Sequence, residues 1–549
     1  MKRNLLFLFL IFLICISNNR IYAWSTDTVF VRETGVPILI DRIDNELFHI
    51  RINASNSKTL DNIHLTLGPE IKLDEIAAIK LYYGGTECIQ KKDKNLFAST
   101  DYVSAYTPGK TRIADPSYSI LNSIKNNITT REIILQAQQK LFPGINYFWV
   151  SLQMKPTTSL LAKVTATIKE ASVDGQKVPV KLVNTQQIHR MGIGVRHAGD
   201  DNVAAYRIPG IITSNKGTLL AVYDVRHNNS ADLQEYIEIG LSRSEDHGQT
   251  WEQMRIPLSF GEYGGLPKAQ NGVGDPAILV DEQTGTIWIM AAWTHGMGNA
   301  RAWNNSQQGL DITHTAQLVL TKSDDDGKTW SQPINITQQV KKPQWFFLLQ
   351  GPGRGISMEN GTLVFAGQFI GADRIPCACI IYSTDHGKTW NISQPARSNT
   401  TESQVAEINP GVLMLNMRDN RGGSRAVAIT NDLGNSWQEH PSSRKALAEP
   451  VCMASLIHVP AHKNILNKDI LLFSNPNDTQ QRKHMTIKAS LDKGLSWSAN
   501  NELLLDEGHS WGYSCLTLID EETVGILYES STAHIAFQAV KLTDIIKEQ

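Results

Sequence analysis

The sequence of 549 residues predicts an all-β protein in which an N-terminal β-sandwich precedes a six-bladed β-propeller. Short alternating segments between turn residues predict the sandwich, and two repeats in the rest of the chain predict the propeller. One repeat is the octet S-x-D-x-G-x-T-W, and the other is an apolar strand that follows a turn. We therefore expect a signal peptide at residues 1–23, the sandwich at 24–184 and the propeller at 185–549.

Residues 1–23 have the layout of a secretory signal. Lys2 and Arg3 precede an apolar stretch from Leu5 to Ile16, and the small residue Ala23 follows. The apolar stretch is too short to cross a bilayer with hydrated flanks. We expect an exported protein, and the sequence leaves open whether it is periplasmic, attached to the cell surface or extracellular.

Residues 24–184 contain short segments in which apolar and polar residues alternate, for example 47–52 and 147–152. Asn, Gly, Asp and Pro turns separate them, and helical periodicity is scarce. This pattern is typical of an antiparallel β-sandwich. Such a module could bind carbohydrate or serve as a packing unit, and the sequence leaves both roles open.

The octet occurs at residues 244–251, 323–330 and 383–390, with looser copies at 430–437 and 490–497. In each copy the Asp side chain can accept from backbone amides, the Gly permits positive φ and the Trp packs beside the turn. We therefore interpret the octets as turns, and their carboxylates as structural; these are Asp246, Asp325, Asp385, Asp432 and Asp492.

The second repeat has six copies, at residues 217–222, 285–290, 361–366, 411–416, 468–473 and 523–528. Both faces of these strands are apolar, as expected for inner strands of stacked sheets, and their spacing of roughly 50 to 75 residues suits four-stranded blades. The chain ends soon after the sixth copy. We therefore expect a strand from the start of the domain to close the last blade.

Polar residues recur at equivalent positions of this repeat. They lie about ten residues before a strand-opening turn, which is one strand length, or directly after the returning strand. Both positions fall at the blade end opposite the turns, where loops of different blades converge. The residues placed there are Arg207, Arg226, Asp275, Glu402, Arg418 and Tyr513.

Composition excludes several classes of ligand. The net charge is −2, with 52 basic and 54 acidic residues, so no broad basic field favours nucleic acid. No cluster has zinc spacing and no calcium loop appears, and we expect neither a metal nor a cofactor. We interpret the cysteines after the signal as buried thiols; these are Cys88, Cys377, Cys379, Cys452 and Cys515. The sequence predicts no transmembrane segment after residue 23, and it leaves the oligomeric state open.

Several arginines at one mouth indicate a small anionic ligand, because a guanidinium matches a carboxylate bidentately, although each could instead pair within the scaffold. Residues 206–210, Tyr-Arg-Ile-Pro-Gly, followed by the five octets resemble the bacterial exo-sialidases (neuraminidases). The resemblance implies that three arginines clamp the carboxylate of sialic acid. They match Arg207, Arg418 and Arg482, and Arg421 and Arg425 compete for the second role.

The same resemblance implies a catalytic set. Tyr513 is similar to the family's nucleophile, and Glu402 to the carboxylate that takes its proton, with Glu407 as the weaker choice. Asp232 is similar to the acid/base. A neutral phenol suits a sialoside because its anomeric carbon already carries a carboxylate, which would repel a carboxylate nucleophile. Two displacements would retain the anomeric configuration.

Arg226 and Asp275 resemble residues that contact the hydroxyl side of the sugar. The resemblance thus implies a secreted, retaining exo-α-sialidase that removes terminal sialic acid from glycoproteins, glycolipids and oligosaccharides. A trans-sialidase of the same fold remains open, because only its products differ. A non-catalytic sialic-acid-binding propeller also remains open, although we would expect it to lack Tyr513, Glu402 or Asp232.

Overall fold

The computed structural model describes residues 28–86, 119–125, 128–298 and 300–547. The predicted signal peptide and Cys88 lie outside the described residues. The described chain is almost entirely β-strand, and its sheets form a sandwich followed by a propeller, which confirms the predicted fold class. The described helices are short: three α-helical turns, at Ala302–Asn305, Thr337–Val340 and Leu542–Ile545, and a few 3₁₀ turns.

The sandwich consists of two sheets with apolar residues between them. Ile63, Leu65 and Leu67 alternate inward on one strand and are buried, as the period of two requires. The first sheet has the order Val180–Leu182, Thr28–Glu33, Asn45–Ala54, Gly144–Met154, Ile76–Gly85, Ser119–Lys125. The second has the order Gln176–Val178, Ala166–Val173, Lys58–Leu67, Glu132–Leu141.

Six sheets form the blades of the propeller, which we number in chain order from the innermost strand of each. Blade 1 contains the strands Ala205–Thr213, Leu219–Arg226, Ile237–Ser244 and Arg255–Leu258. Blade 2 contains Val273–Val280, Ile287–Trp293, Gln317–Ser323 and Ile334–Asn335. Blade 3 contains Phe347–Gln350, Leu363–Ile370, Pro376–Ser383 and Asn391–Ile392. Blade 4 contains Thr400–Asn409, Val412–Asp419, Ala426–Thr430 and Gln438–Glu439. Blade 5 contains Ser455–Val459, Ile470–Pro476, Met485–Ser490 and Glu502–Asp506. Blade 6 contains Ser514–Leu518, Thr523–Tyr528, Ile535–Lys541 and His189–Arg196.

Shorter strands extend this set. Gly353–Arg354 pairs parallel to the inner strand of blade 2, and Ile356–Ser357 and Arg397–Ser398 pair with strands of blade 3. Gly423–Ser424 and Ala448–Glu449 form a two-stranded sheet beside blade 4.

Blade 6 takes its outer strand from the start of the propeller. His189–Arg196 pairs antiparallel with Ile535–Lys541, so the two ends of the domain share one sheet and the propeller closes. This confirms the expected closure. Two strands from the preceding region add to the same outer strand, because Ile38–Leu39 pairs with it in parallel and Lys163–Val164 pairs antiparallel.

The octets form tight turns, as predicted. Asp325 accepts from the backbone amide of Thr329 at 2.8 Å, from its hydroxyl at 2.6 Å and from Ser323 at 2.8 Å. Gly327 has φ 76°, and Trp330 donates its indole N–H to the carbonyl of Gly327 at 3.1 Å. The same amide-to-carboxylate bond, four residues apart, recurs at Asp246, Asp385, Asp432 and Asp492.

One apolar cluster joins the sandwich to the propeller. It includes Ile38 and Leu160 from the N-terminal region and Met191, Tyr206 and Phe537 from the propeller, all nearly or fully buried. The two parts of the molecule therefore share a continuous core. Across the described ranges, the structure has no helix long and apolar enough to cross a bilayer. Cys379, Cys452 and Cys515 are buried free thiols, and Cys377 is a partly buried one.

Candidate active site

Three inner strands carry irregularities where the sequence predicts site residues. The pairing of Ala205–Thr213 with its neighbour shifts between Arg207 and Gly210, and that of Val273–Val280 shifts between Gly274 and Ala277. The register of Thr400–Asn409 shifts between Thr400 and Ser403. A bulge re-aims a side chain at the end of a ladder, so these shifts turn Arg207, Asp275 and Glu402 out of the regular alternation.

Proline contributes to two of these irregularities. Ile208 and Asp275 each precede a proline and have φ of 59° and 58°, a left-handed conformation that residues other than glycine seldom adopt. The surrounding structure holds both backbones. The amide of Ile208 donates to Glu529 at 3.1 Å, and the amide of Asp275 donates to Asp224 at 2.8 Å.

Tyr513 and Glu402 are in direct contact although they are distant in sequence. The phenol oxygen lies 2.6 Å from Oε1 and 2.8 Å from Oε2 of Glu402, and it donates its hydrogen bond there. Arg418 donates Nη1 to the same carboxylate at 2.5 Å and to the phenol oxygen at 3.2 Å. The three side chains form one hydrogen-bonded group at the centre of the mouth.

The electrostatics of this group favour a neutral phenol. Burial raises the pKa of Tyr513 well above its usual value, and the adjacent Glu402 carboxylate raises it further. Burial opposes the charge of Arg418, but Glu402 raises the pKa of that guanidinium above the ordinary arginine value. The group therefore contains a protonated phenol with a carboxylate ready to accept its proton.

Glu529 is a residue that the sequence analysis missed. Its fully buried carboxylate accepts from Nε of Arg207 at 2.8 Å and from the backbone amide of Tyr513 at 2.9 Å, besides the amide of Ile208. Burial opposes the charge of Arg207, yet Glu529 raises the pKa of its guanidinium. Glu529 directly follows the sixth repeated strand, as Arg418 follows the fourth. This shared position after a repeated strand could have identified Glu529 from the sequence.

Arg482 approaches Tyr513 from the loop between the second and third strands of blade 5. Its guanidinium carbon lies 5.8 Å from the centre of the Tyr513 ring, and that of Arg207 lies 5.5 Å away. Arg482 donates to the carbonyls of Trp511 and Val451, each at 3.0 Å. Arg207, Arg418 and Arg482 thus surround one phenol.

The two arginines that compete with Arg418 are engaged elsewhere. Arg425 is buried and donates to Glu449 and to Asn416, while Arg421 lies at the surface against Asp419. Neither contacts Glu402 or Tyr513 in the described hydrogen bonds. The alternative carboxylate, Glu407, accepts from backbone amides at the opposite end of the blade.

Asp232 lies on the loop between the second and third strands of blade 1, with its side chain 48% exposed. Its Oδ1 accepts from Nη1 of Arg226 at 2.8 Å and is 4.0 Å from Arg207. Burial favours a higher pKa for Asp232, but Arg226 and Arg207 outweigh it and lower the pKa below its ordinary value. Arg226 is itself fixed by Asp224, which accepts from its Nε and Nη2.

Asp275 differs from Asp232 in the direction of its pKa shift. Burial raises its pKa well above the usual range, and the Asp224 carboxylate raises it further. This shift favours the protonated acid, which can donate a hydrogen bond. The mouth combines Asp275 with a cationic cluster, a phenol paired to a carboxylate and a half-exposed aspartate. Such a set can hold an anionic ligand over a nucleophile.

The histidines near the mouth lie outside this arrangement. His227 contacts Glu238 and stacks on Tyr236, and His295 contacts Asn271. In the described part of the chain, His, Cys, Asp and Glu side chains form no group of three suited to hold a metal.

Comparisons with known proteins show which family this chain resembles. A family model described as the N-terminal domain of BNR-repeat neuraminidase matches residues 26–177, and one described as a BNR repeat-like domain matches residues 208–517. A sialidase from Bacteroides fragilis (strain YCH46) is 64% identical over 524 residues, which cover 95% of this chain and 96% of that protein.

Two further proteins are similar over different lengths. A sialidase from Micromonospora viridifaciens is 31% identical over 343 residues, which are 61% of this chain and 51% of that protein. Among solved structures, the Hadza microbial sialidase is 57% identical, with a TM-score of 0.88, and covers 94% of this chain and 100% of its own. The matches to the Bacteroides fragilis sialidase and the Hadza microbial sialidase extend over both the sandwich and the propeller. The chain therefore belongs to the bacterial sialidase, or neuraminidase, family of glycoside hydrolases.

Proposed function

We propose that the protein is a retaining exo-α-sialidase that hydrolyses terminal sialic acid from sialylated glycans, with Tyr513 as its nucleophile. The observation that carries this proposal is the pair of hydrogen bonds from the Tyr513 phenol to Glu402 at 2.6 and 2.8 Å. The pair lies among Arg207, Arg418 and Arg482, which suit the carboxylate on the anomeric carbon of a sialoside.

In the first step, the phenol oxygen of Tyr513 forms a bond to the anomeric carbon as the glycosidic bond breaks. Glu402 accepts the phenol proton during the attack, because a free phenolate is disfavoured in this buried position. The arginine cluster keeps the substrate in place and offsets its negative charge.

Asp232 would supply the proton that the leaving oxygen requires. In the unliganded site Arg226 and Arg207 hold its pKa low. A substrate carboxylate bound to Arg207 adds negative charge beside Asp232, which favours the protonated acid. In the second step Asp232 would remove a proton from water, whose oxygen bonds to the anomeric carbon as the bond to Tyr513 breaks. Glu402 would return its proton to the phenol oxygen, and sialic acid would leave with net retention.

Arg226 and Asp275 would contact the hydroxyl side of the sugar. The raised pKa of Asp275 favours a protonated acid that could donate to a sugar hydroxyl, and the Arg226 guanidinium contacts Asp232. The residues that carry this chemistry are all side chains of the chain itself, and the proposal needs no metal or cofactor.

The proposal is tested with a fluorogenic aryl sialoside. The fluorophore that is cleaved from it is measured for the wild-type protein and for Tyr513→Phe. We expect hydrolysis by the wild type and a loss of at least about 1,000-fold in kcat in the variant, with sialic acid binding retained. A wild-type protein that binds sialic acid without hydrolysis would instead be a lectin, and the proposal would fail. Chromatography of the products distinguishes free sialic acid from a transferred or anhydro product.

We also propose that the protein acts outside the cytoplasm. The signal-like sequence at residues 1–23 supports export. N-terminal sequencing of the protein recovered from cell fractions tests this: a chain that begins near residue 24 in the periplasmic, surface or medium fraction supports export, and a cytoplasmic chain that retains residues 1–23 contradicts it.

A further inference from the structure

The two carboxylate oxygens of Asp232 have different surroundings. Oδ1 accepts from Nη1 of Arg226 at 2.8 Å and lies 4.0 Å from Nη1 of Arg207. Oδ2 lies 3.6 Å from Nη2 of Arg301, which comes from blade 2. Arg226 and Arg207 are buried, whereas the side chain of Arg301 is 66% exposed.

This asymmetry determines which oxygen can hold a proton. Oδ1 accepts from a guanidinium, which stays charged and has no acceptor, so a proton on Oδ1 would face the N–H of Arg226. A transferable proton therefore belongs on Oδ2. The leaving oxygen of a substrate must approach Asp232 from that side, and Arg301 is the cation found there.

The backbone beside Arg301 is fixed although its side chain is exposed. The amide of Ala302 donates to the carbonyl of Leu233 at 2.8 Å, which connects the blade 2 loop to the loop of Asp232. Leu233, Met297 and Ala302 are buried in one apolar cluster. The guanidinium can thus change its partner without movement of either loop, since its own connection is an exposed ion pair of low strength.

We infer that Arg301 is a specificity-determining residue that binds the sugar next to the sialic acid, the part that leaves. Its guanidinium moves from Oδ2 of Asp232 to hydroxyl oxygens of this leaving sugar. This inference rests on the proposed function of the site. No bond is made or broken by Arg301, which offers N–H donors in a planar fork and stays protonated throughout.

This change of partner by Arg301 would couple recognition of the leaving sugar to proton transfer from Asp232. The charged or titratable groups that face Asp232 are Arg226, Arg207, Arg301 and Asp275. Arg301 contacts Asp232 through Oδ2, and the departure of its charge favours a proton on that oxygen. A leaving group with hydroxyls draws Arg301 away, whereas an aryl leaving group without them does not.

The test compares two substrates in Arg301→Gln, Arg301→Lys and the wild type. Sialyllactose has a sugar leaving group with hydroxyls, and 4-methylumbelliferyl sialoside has an aryl group that needs little protonation. We expect kcat/KM for sialyllactose to fall about tenfold in Arg301→Gln, mainly through KM, and to stay within about twofold for the aryl substrate. Arg301→Lys should recover part of the loss.

Arg374→Gln is the matched control, because Arg374 is also exposed in a loop but contacts the ring of Phe346. It should leave both substrates unchanged. Equal losses on both substrates in Arg301→Gln, or no loss on either, would overturn the inference and leave the proposed function intact. A wild-type protein inactive on both substrates would overturn the proposed function itself.

Discussion

Glu529 shows how one side chain can organise a site without facing the ligand. Its carboxylate is fully buried and accepts from the Arg207 side chain and from the amides of Ile208 and Tyr513. Two of these residues lie in blade 1 and one precedes blade 6. Glu529 therefore fixes Arg207, which we propose binds the substrate carboxylate, relative to Tyr513, the proposed nucleophile.

Replacement of Glu529 by Gln should reduce both stability and activity. The amide keeps the shape but places an NH₂ group against N–H donors and leaves the Arg207 charge without its buried partner. We expect the free energy of unfolding to fall by about 3 kcal/mol and kcat/KM for a sialoside to fall more than about tenfold. Urea unfolding and steady-state kinetics measure the two effects.

The matched control is Glu522→Gln, whose side chain is 47% exposed and pairs with Lys541. It should change the free energy of unfolding by less than about 0.5 kcal/mol. Wild-type kinetics in Glu529→Gln would show that the Arg207 position does not depend on this carboxylate.

The sequence predicted residues whose position follows from the repeat. Arg207, Glu402 and Tyr513 share one phase, and the structure brings them to one mouth because each lies at the start of the inner strand of its blade or directly before it. Glu529 satisfied the same arithmetic, but its burial depends on partners more than 300 residues away in blade 1. The Arg301 contact with Asp232 was also not predicted, since loop positions are set by tertiary packing.

At the scale of elements, the octets are defined by local chemistry, which explains why sequence predicted them well. The Asp325 carboxylate accepts from groups within four residues, so no distant contact is needed to form the turn. The bulges at the inner strands are different. Two of them combine a proline with a buried carboxylate from another blade, and such long-range contacts cannot be inferred from the local sequence.

Asp325→Asn should weaken its turn in a pH-dependent way. Hydrogen bonds to Thr329 lower the pKa of Asp325 to about 2. Because the folded pKa lies below the unfolded value of about 3.9, the charged form stabilises the fold above about pH 4. That contribution is lost as the pH falls towards about 2.

We expect the variant to be less stable than the wild type by about 1 kcal/mol at pH 7, since solvent screens this exposed turn. In thermal unfolding, the difference in stability should be kept at pH 5 and should narrow at pH 4 and 3. Asp324→Asn provides a control, because the Asp324 carboxylate is adjacent in sequence but contacts Lys322 and Thr286 and makes none of the hydrogen bonds of Asp325 within the turn. A loss of activity in folded Asp325→Asn would contradict the structural role.

At the scale of the whole molecule, the sandwich supports the chain that leads to the nucleophile. Glu507 precedes Trp511 and Tyr513, and its carboxylate accepts from Arg32 at 2.7 Å and from the amide of Gly35 at 2.9 Å. A second link joins Glu33 to His189 at 3.1 Å. Division of the sequence at residue 184 separates regions that share one apolar core, the Arg32–Glu507 ion pair and the buried contact between Glu33 and His189.

Glu507→Gln should therefore destabilise the molecule as a unit. Arg32 loses a buried counter-charge, and we expect a decrease of about 3 kcal/mol in the free energy of unfolding. The transition followed by circular dichroism and by activity should remain single, because the core is continuous. Glu521→Gln, at an exposed turn, is the control. Separate transitions of the sandwich and the propeller would contradict this view.

The central claim is that Tyr513 forms the covalent bond to the sugar. The most direct measurement is mass spectrometry of the protein after reaction with a 3-fluorosialosyl fluoride, in which the ring fluorine slows breakdown of a covalent intermediate. We predict one fluorosialyl group on the peptide that contains Tyr513, and none in Tyr513→Phe. A label on Glu402 or another carboxylate, or turnover with inversion of configuration, would contradict the account.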